Sequence, residues 1–404
     1  FRKLLSGSVD LSKSTIYMSQ GKYVMSEESG LGVIVRKNVK AIKGGYSQFS
    51  EGTDVSARDI DTYVTVISGD VNGNKQADAG DCGLLLVKKG HITIEGVTFQ
   101  YGYVSEADAS TTECGSGIYV SGGAGDTSIE LTDCVIRDCT SGVTTSAKQG
   151  GPAVFVLSGQ VRLNNVNLLD NTAVGRGGAV RCNSKTAVVF MNGCLLKGNS
   201  HNGSWGNGIQ MSEGHICINN TTLIDNMGTG AALNGGGSIL LTNNTIIGNT
   251  SDSHGAVRCE TGVGGDTKFI NNLLLSENPS APSFNLNGSN FEAFSKGYNV
   301  YQRVTGITMS ASDTAYPNPV NGTLDEKGVY VWDLNQIGSV KGYATKQAVI
   351  EVAKSFNPVA SPIANLGEVF VEWVGEDAFG IDQREVTRNA NKMQAGAYDA
   401  VLTN

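Results

Sequence analysis

Between Ile92 and Leu274 apolar and polar positions alternate in short bursts that recur along the chain. Seven segments align without gaps: ITIEGVTFQYG from Ile92, IELTDCVIRDC from Ile129, VRLNNVNLLDN from Val161, VVFMNGCLLKG from Val188, ICINNTTLIDN from Ile216, ILLTNNTIIGN from Ile239 and TKFINNLLLSE from Thr267. Their third and eighth positions are apolar in every copy. Alternation of this kind turns one face of a short strand inward. The fifth position reads Gly96, Asp133, Asn165, Asn192, Asn220, Asn243 and Asn271. Asparagine tolerates left-handed backbone angles, so this column marks a bend, with each amide placed to pair with its counterpart one layer away. A second short strand precedes the repeat near Ile118, Val154, Val180, Ile209, Ala232 and Val257. Two or three strands in a period of 23 to 37 residues, with loops of variable length between them, predict the rungs of an all-β parallel β-helix solenoid. At a spacing of about 4.8 Å, seven rungs extend about 34 Å.

Outside these copies the pattern weakens. Residues 1–81 read as less regular opening rungs and a cap, residues 82–285 as regular rungs, and residues 286–404 as an irregular C-terminal region that packs on or caps the helix. This last region holds Trp332, Trp373 and most of the prolines, and the terminal units of solenoids must differ to hide an open end.

Composition agrees with short strands and tight turns: 53 glycines, 7 prolines and 17% charged residues in 404. A net charge of −8, with no basic cluster interleaved with aromatics, argues against nucleic acid as a partner. No run of about 18 apolar residues offers a membrane span. FRKLLSG at Phe1 lacks the features of a secretory signal, so any such segment is expected to have been removed. The eight cysteines, at 82, 114, 134, 139, 182, 194, 217 and 259, form no zinc-type spacing and read as small buried residues. Cys134 and Cys139 are the pair to inspect for a disulfide.

The segment KGGYSQFSEGTDVSARDIDTYVTVISGDVNGN, the rungs, and the late run GIDQREVTRNANKMQAGAYDA resemble the right-handed β-helix proteins of bacterial surfaces called choice-of-anchor Q domain proteins. Their terminal signature, Asp-Gln-Arg-Gly-x-x-Arg followed by Gly-Ala-Tyr-Glu, is matched by Asp382, Gln383, Arg384 and Arg388, then Gly396, Ala397 and Tyr398; Glu385 and Asp399 depart from it. The rungs are also similar to autotransporter passengers, including IgA-protease-like ones, and to pectate-lyase-like enzymes. The resemblance implies a right-handed, single-stranded, pectin-lyase-like helix, export to the cell surface, and contact with polysaccharide or host material. It implies no particular reaction, because one fold hosts many.

Candidate chemistry starts from a repeated phrase, GGAVRC ending at Cys182 and GAVRC ending at Cys259. Where Val180 and Cys182 face inward, Arg181 faces outward, and Arg258 follows by the same argument. The matching outward positions read Tyr119, Phe155, Arg181, Gln210, Leu233 and Arg258. Rings that stack on sugar faces beside guanidinium groups that grip carboxylates suit an extended glycan. The loops around Trp205 and His254 are placed to wall such a groove, and the two arginines, three rungs apart, would stand about 14 Å from each other.

A lyase would need a base near the substrate carboxylate, from among Arg181, Arg258, His201 and His254. A glycoside hydrolase would need paired carboxylates, whereas Glu130, Asp170, Asp225 and Glu260 sit at unrelated positions. No serine-protease motif occurs. Separately, DVNGNKQADAGD places Asp70, Asn72, Asn74, Asp78 and Asp81 at positions 1, 3, 5, 9 and 12 of a dockerin-like calcium loop, with the Gln76 carbonyl at 7 and Lys75 where glycine makes the turn. The reading is an exported, monomeric, adhesin-like binder of polysaccharide or of a host glycan or protein. The alternative is a polysaccharide lyase or hydrolase acting on an acidic glycan along the same stripe.

Overall fold

The computed structural model describes residues 2–25, 32–49, 54–111, 116–123, 125–144, 149–203, 205–250, 255–259, 266–276, 280–286, 292–316, 322–325, 330–332 and 341–397. The chain divides into two compact units, residues 1–189 with 199–203, and residues 190–198 with 204–404.

In the first unit each rung contributes strands to three parallel stacks. The first stack holds Val33–Val35, Leu85–Val87, Ile118–Ser121, the start of Val154–Asn164, and Val180–Cys182. The second runs from Leu11–Ser19 through Val39–Tyr46, Gly90–Glu95 and Thr127–Thr132 to the end of Val154–Asn164. The third runs from Gly21–Val24 through Thr65–Ser68, Val97–Gln100 and Val135–Arg137 to Asn167–Leu169. A short fourth stack joins Tyr103–Val104, Thr140–Ser141, Thr172–Ala173 and Ser200–His201. Parallel pairing therefore begins at Leu11.

The second unit repeats the arrangement. Its first stack is Ile209–Met211, Leu233–Gly235, Val257–Cys259, Phe284–Leu286 and Val304–Thr305. Its second is His215–Asn219, Ser238–Thr242, Asp266–Ile270 and Glu292–Ser295. Its third runs from Leu195–Lys197 to Thr314–Ala315, so rungs continue past residue 285. The expected all-β parallel solenoid is what the structure holds. Inward side chains such as Ile129, Leu131, Val161 and Leu163 in one unit, and Ile216, Ile218, Ile239 and Leu241 in the other, have no exposed surface.

The bends carry the expected backbone. Asp133, Asn165, Asn220, Asn243 and Asn271 all have φ between 51° and 59°. The amide of Asn271 donates to Asn243 Oδ1 (2.8 Å), and that of Asn165 to Asp133 Oδ1 (2.6 Å). The deeper ladders are elsewhere, at the sixth and eleventh positions. Asn272 Oδ1 accepts the Asn244 backbone N–H (2.9 Å) and side-chain amide (3.1 Å), while its own amide donates to Leu241 O, Ile270 O and Asn299 Oδ1, each at 3.0 Å. At the eleventh position Asn171 bonds Asn199, and Asn226 bonds Asn249, in the same way. All of these are buried, and they satisfy turn groups that water cannot reach.

One copy of the repeat is shifted. The left-handed residue of the fourth segment is Gly193 (φ 65°), not Asn192, and the Gly193 N–H donates to Asn219 O as Asn220 does to Thr242 O. That segment's frame begins at Val189. Ala187–Met191 is buried on both faces, because Phe190 points out beneath Phe370 and Trp373 (ring centroids 5.3 and 5.8 Å). With both faces apolar, alternation gives no frame.

Those two rings belong to a C-terminal region that is more regular than expected. Helix Lys346–Lys354 starts at Thr345, whose side chain accepts the Ala348 N–H, and it packs against helix Leu366–Val374. The signature residues then clasp the rungs. Gln383 donates to Cys194 O (2.8 Å) and accepts from Thr222 Oγ1 (2.7 Å). Buried Arg388 donates to Asn220 Oδ1 (2.7 Å), Gly396 O (3.0 Å) and the carbonyls of Ile381 and Gln394. Asp382 accepts from the Arg384 guanidinium (2.7 Å). Tyr398 and Asp399 lie outside the described residues.

Among the described residues all seven cysteines are buried and free, Cys134 and Cys139 included, so that pair is not bridged. Burial pushes the thiols of Cys134, Cys139, Cys182 and Cys259 up to about 12. At neutral pH these seven thiols should resist a thiol reagent until the protein is denatured; rapid native labelling at any of them would contradict the packing. Asn272→Ala should lower unfolding free energy by roughly 2–4 kcal/mol in urea titration, since it orphans several buried partners.

Candidate outward face of the first stack

Strand register decides which residues share the outward row. In the first unit Ile34 pairs with Leu86, Leu86 with Tyr119, Tyr119 with Phe155, and Phe155 with Arg181. These positions point away from the helix interior, yet they are not surface. Leu86, Tyr119 and Phe155 are at most 1% exposed and form a second core with Ile34 and Leu157. The rings of Tyr119 and Phe155 stack at 5.0 Å. Arg181 is 8% exposed, its Cζ 5.7 Å from the Phe155 ring centre. Its Nη1 donates to Gln149 O and its Nη2 to Asn183 Oδ1 (3.1 Å). Burial, with Arg176 nearby, pulls its pKa down to about 10. The expected solvent-facing stripe is thus corrected at Tyr119, Phe155 and Arg181. The chain around Gly151, which closes on the Phe155 and Arg181 Cβ atoms, covers outward side chains that strand alternation leaves open.

In the second unit Gln210 pairs with Asn234, Asn234 with Arg258, Arg258 with Asn285, and Asn285 with Thr305. Leu233 pairs with Ile209 and is fully buried, so Asn234 takes the outward place assigned to Leu233. The short, glycine-flanked strand left that one-residue slip undetectable. Gln210 is buried and its Oε1 accepts the Gly206 N–H (3.3 Å). Arg258 is half-buried, its Cζ 5.8 Å from the Trp205 ring centre. Asn234 is 1% exposed, and neither its Oδ1 nor its Nδ2 has a hydrogen-bond partner. Gly206 lies above it, close enough that an added Cβ would come within 3.2 Å of the Asn234 Cβ. Exposure rises along the row toward Asn285 and Thr305. His254 and Glu260 lie outside the described residues.

A family model described as a right handed beta helix region matches residues 62–274, more than half of the chain. The chain belongs to the right-handed β-helix family. No curated protein and no solved structure matches it. Among the described residues of this β-helix protein, no helix is long and apolar enough to cross a membrane.

The other candidates are distributed through the β-helix as scaffold. Asp170 and Asp225 are left-handed bend residues, each with φ 54°. Glu130 stands in register with Arg162 on the second stack, and His201 is buried in the fourth. The predicted calcium loop is closed on itself. Val71 N–H and Asp78 N–H donate to the Asp81 carboxylate (2.9 and 3.1 Å), and the Asn72 and Asn74 amides donate to that of Asp78 (3.0 and 2.7 Å). Gln76 N–H donates to Asn74 Oδ1 (2.9 Å). Among the described residues no three acidic, histidine or cysteine side chains group as a metal site.

If the stacked rings are a second core, Phe155→Ala should cost about 3–5 kcal/mol in denaturant unfolding. A ring exposed for ligand stacking would cost well under that, so a loss below about 1 kcal/mol would contradict this assignment.

Proposed function

We propose that this β-helix protein is an exported, non-catalytic, adhesin-like binder of polysaccharide at a bacterial surface, holding an acidic glycan along the more exposed part of the second row, at Arg258 and Asn285 beside Trp205. The observation that carries the reading is Arg258, a half-buried guanidinium against the Trp205 ring and in register with the half-buried amide of Asn285. An amide offers both donor and acceptor, matching a sugar hydroxyl, which is both. The neighbour in register is a guanidinium, the group suited to a uronate carboxylate or a sulfate. Parallel rungs repeat these groups at about 4.8 Å, so successive residues of an extended glycan meet successive strands. The half-buried Trp205 supplies an aromatic wall. The five row positions offer no carboxylate pair and no lysine or histidine base, which favours retention over cleavage.

The test is affinity electrophoresis and calorimetry of the parent, Asn285→Ala and Arg258→Ala against polygalacturonate, alginate, chondroitin sulfate and neutral dextran. The parent should bind at least one acidic polymer and release no fragments from it. Arg258→Ala should weaken that binding about tenfold or more, as loss of a charged hydrogen bond worth about 1.5–3 kcal/mol requires. A parent that binds none of the acidic polymers, or variants that bind as well as the parent, would sink the reading.

A further inference from the structure

The loop from Asp70 to Asp81 carries the oxygen spacing of a cation site, and one of its carboxylates is deeply buried. Asp70 is 1% exposed. A carboxylate taken out of water needs a positive partner, because desolvation of an unpaired charge costs several kcal/mol. The partner comes from 48 residues upstream: Lys22 Nζ lies 2.7 Å from Asp70 Oδ2. Register explains how it arrives. Gly21–Val24 pairs with Thr65–Ser68, Lys22 opposite Val66, and the chain leaves that strand directly into Asp70. Asp70 Oδ1 is buried and makes no hydrogen bond of full geometry; Lys22 first, and then the Gly73 and Lys75 backbone N–H groups of the loop, hold the carboxyl below the usual carboxylate range.

The loop backbone also has the shape a cation loop needs. Position 6, normally glycine, is Lys75, and it adopts the left-handed turn regardless (φ 61°). Position 4 is Gly73 at φ 77°. Asn72 and Asn74 each turn their Oδ1 onto the backbone N–H two residues on, at 3.0 and 2.9 Å. The turn is therefore made, and a cation already sits on its first ligand.

We propose that residues 70–81 form a cation site whose resident cation is the Lys22 ammonium, and that removing this ammonium opens the loop to calcium. The ammonium brings one positive charge and three donors on a flexible stem. It neutralises Asp70 without drawing Asp78 and Asp81 inward, and this leaves those carboxylates bonded to loop amides. Calcium would instead recruit the oxygens of Asp70, Asn72, Asn74, Asp78 and Asp81 together. Lys22 is 39% exposed on its side chain, so it can be replaced without opening the core.

The experiment compares the full chain, Lys22→Met, and Lys22→Met combined with Asp70→Asn, each in EDTA and in millimolar calcium, by thermal unfolding and calorimetric titration. The parent should unfold at the same temperature in both buffers and give no saturable calcium heat. Lys22→Met should unfold several degrees lower in EDTA, recover in calcium, and bind calcium with a dissociation constant of about 0.1–1 mM, the range of extracellular modules. The double variant should stay folded and ignore calcium. Saturable calcium binding by the parent overturns the proposal, since the ammonium would not be the resident cation. A Lys22→Met protein whose unfolding temperature is the same in EDTA and calcium, or that is unfolded in both, overturns it as well.

Discussion

A β-helix bends its backbone several times per rung, and each bend brings peptide groups into an interior that water does not enter. Satisfying those groups is the condition on which the rest of this molecule depends. The answer here is a side-chain amide that bonds both along the chain and between rungs. Asn272 takes the Asn244 backbone and amide donors at 2.9 and 3.1 Å and donates to Asn299 at 3.0 Å. Asparagine is the right size for this because its amide mimics a peptide group. A hydroxyl manages part of the work at Thr221, and a thiol occupies the equivalent place at Cys194, whose backbone N–H donates to Thr221 Oγ1 (3.2 Å). With the bends satisfied, even strands of two or three residues, such as Leu273–Leu274 and Thr222–Ile224, hold register, and loops between rungs are free to vary.

Much of this was legible in the chain. Period, strand alternation and the left-handed column predict the solenoid, since each follows from local steric and hydrophobic rules. What alternation cannot report is whether the outward face meets water. At Phe190 the outward ring is covered by Phe370 and Trp373, from a helix some 180 residues later in the chain. The strand then looks apolar throughout and its frame is lost by one residue. At Tyr119 and Phe155 the outward rings are roofed into a second core. In both cases the missing information is long-range, and no window along the chain contains it. The inner asparagine ladder was missed for a different reason: in the doublet Asn-Asn the first residue makes the bend and the second makes the ladder, and composition alone does not divide the labour.

The C-terminal signature can be understood in the same terms. Residues 381–397 lie against bends of the second unit, where Arg388 reaches Asn220 and Gln383 reaches Thr222. The guanidinium bonds an amide and three carbonyls there, so it contributes directional bonding to the bends of the ladder. Its neighbour Arg384 is held by Asp382 (2.7 Å), which keeps the strap's own turn closed while Arg388 grips the rungs.

The repeated tetrapeptide Ala-Val-Arg-Cys shows why function on this scaffold resists reading from strands. Val180, Cys182, Val257 and Cys259 do the same thing in both copies, facing the core with no exposed surface. The arginines between them do not. Arg181 is stacked on Phe155 and bonded to Gln149 and Asn183, whereas Arg258 lies half-buried against Trp205 beside an unsatisfied amide. Four identical residues thus place two guanidinium groups with equal geometry relative to their strands, and the neighbouring segments decide what each group meets. In a solenoid the strands determine where a side chain starts and the loops determine its environment. On the second row the loops close over Gln210 and Asn234, leave the Asn234 amide without a hydrogen-bond partner, and leave Arg258 and Asn285 half-buried.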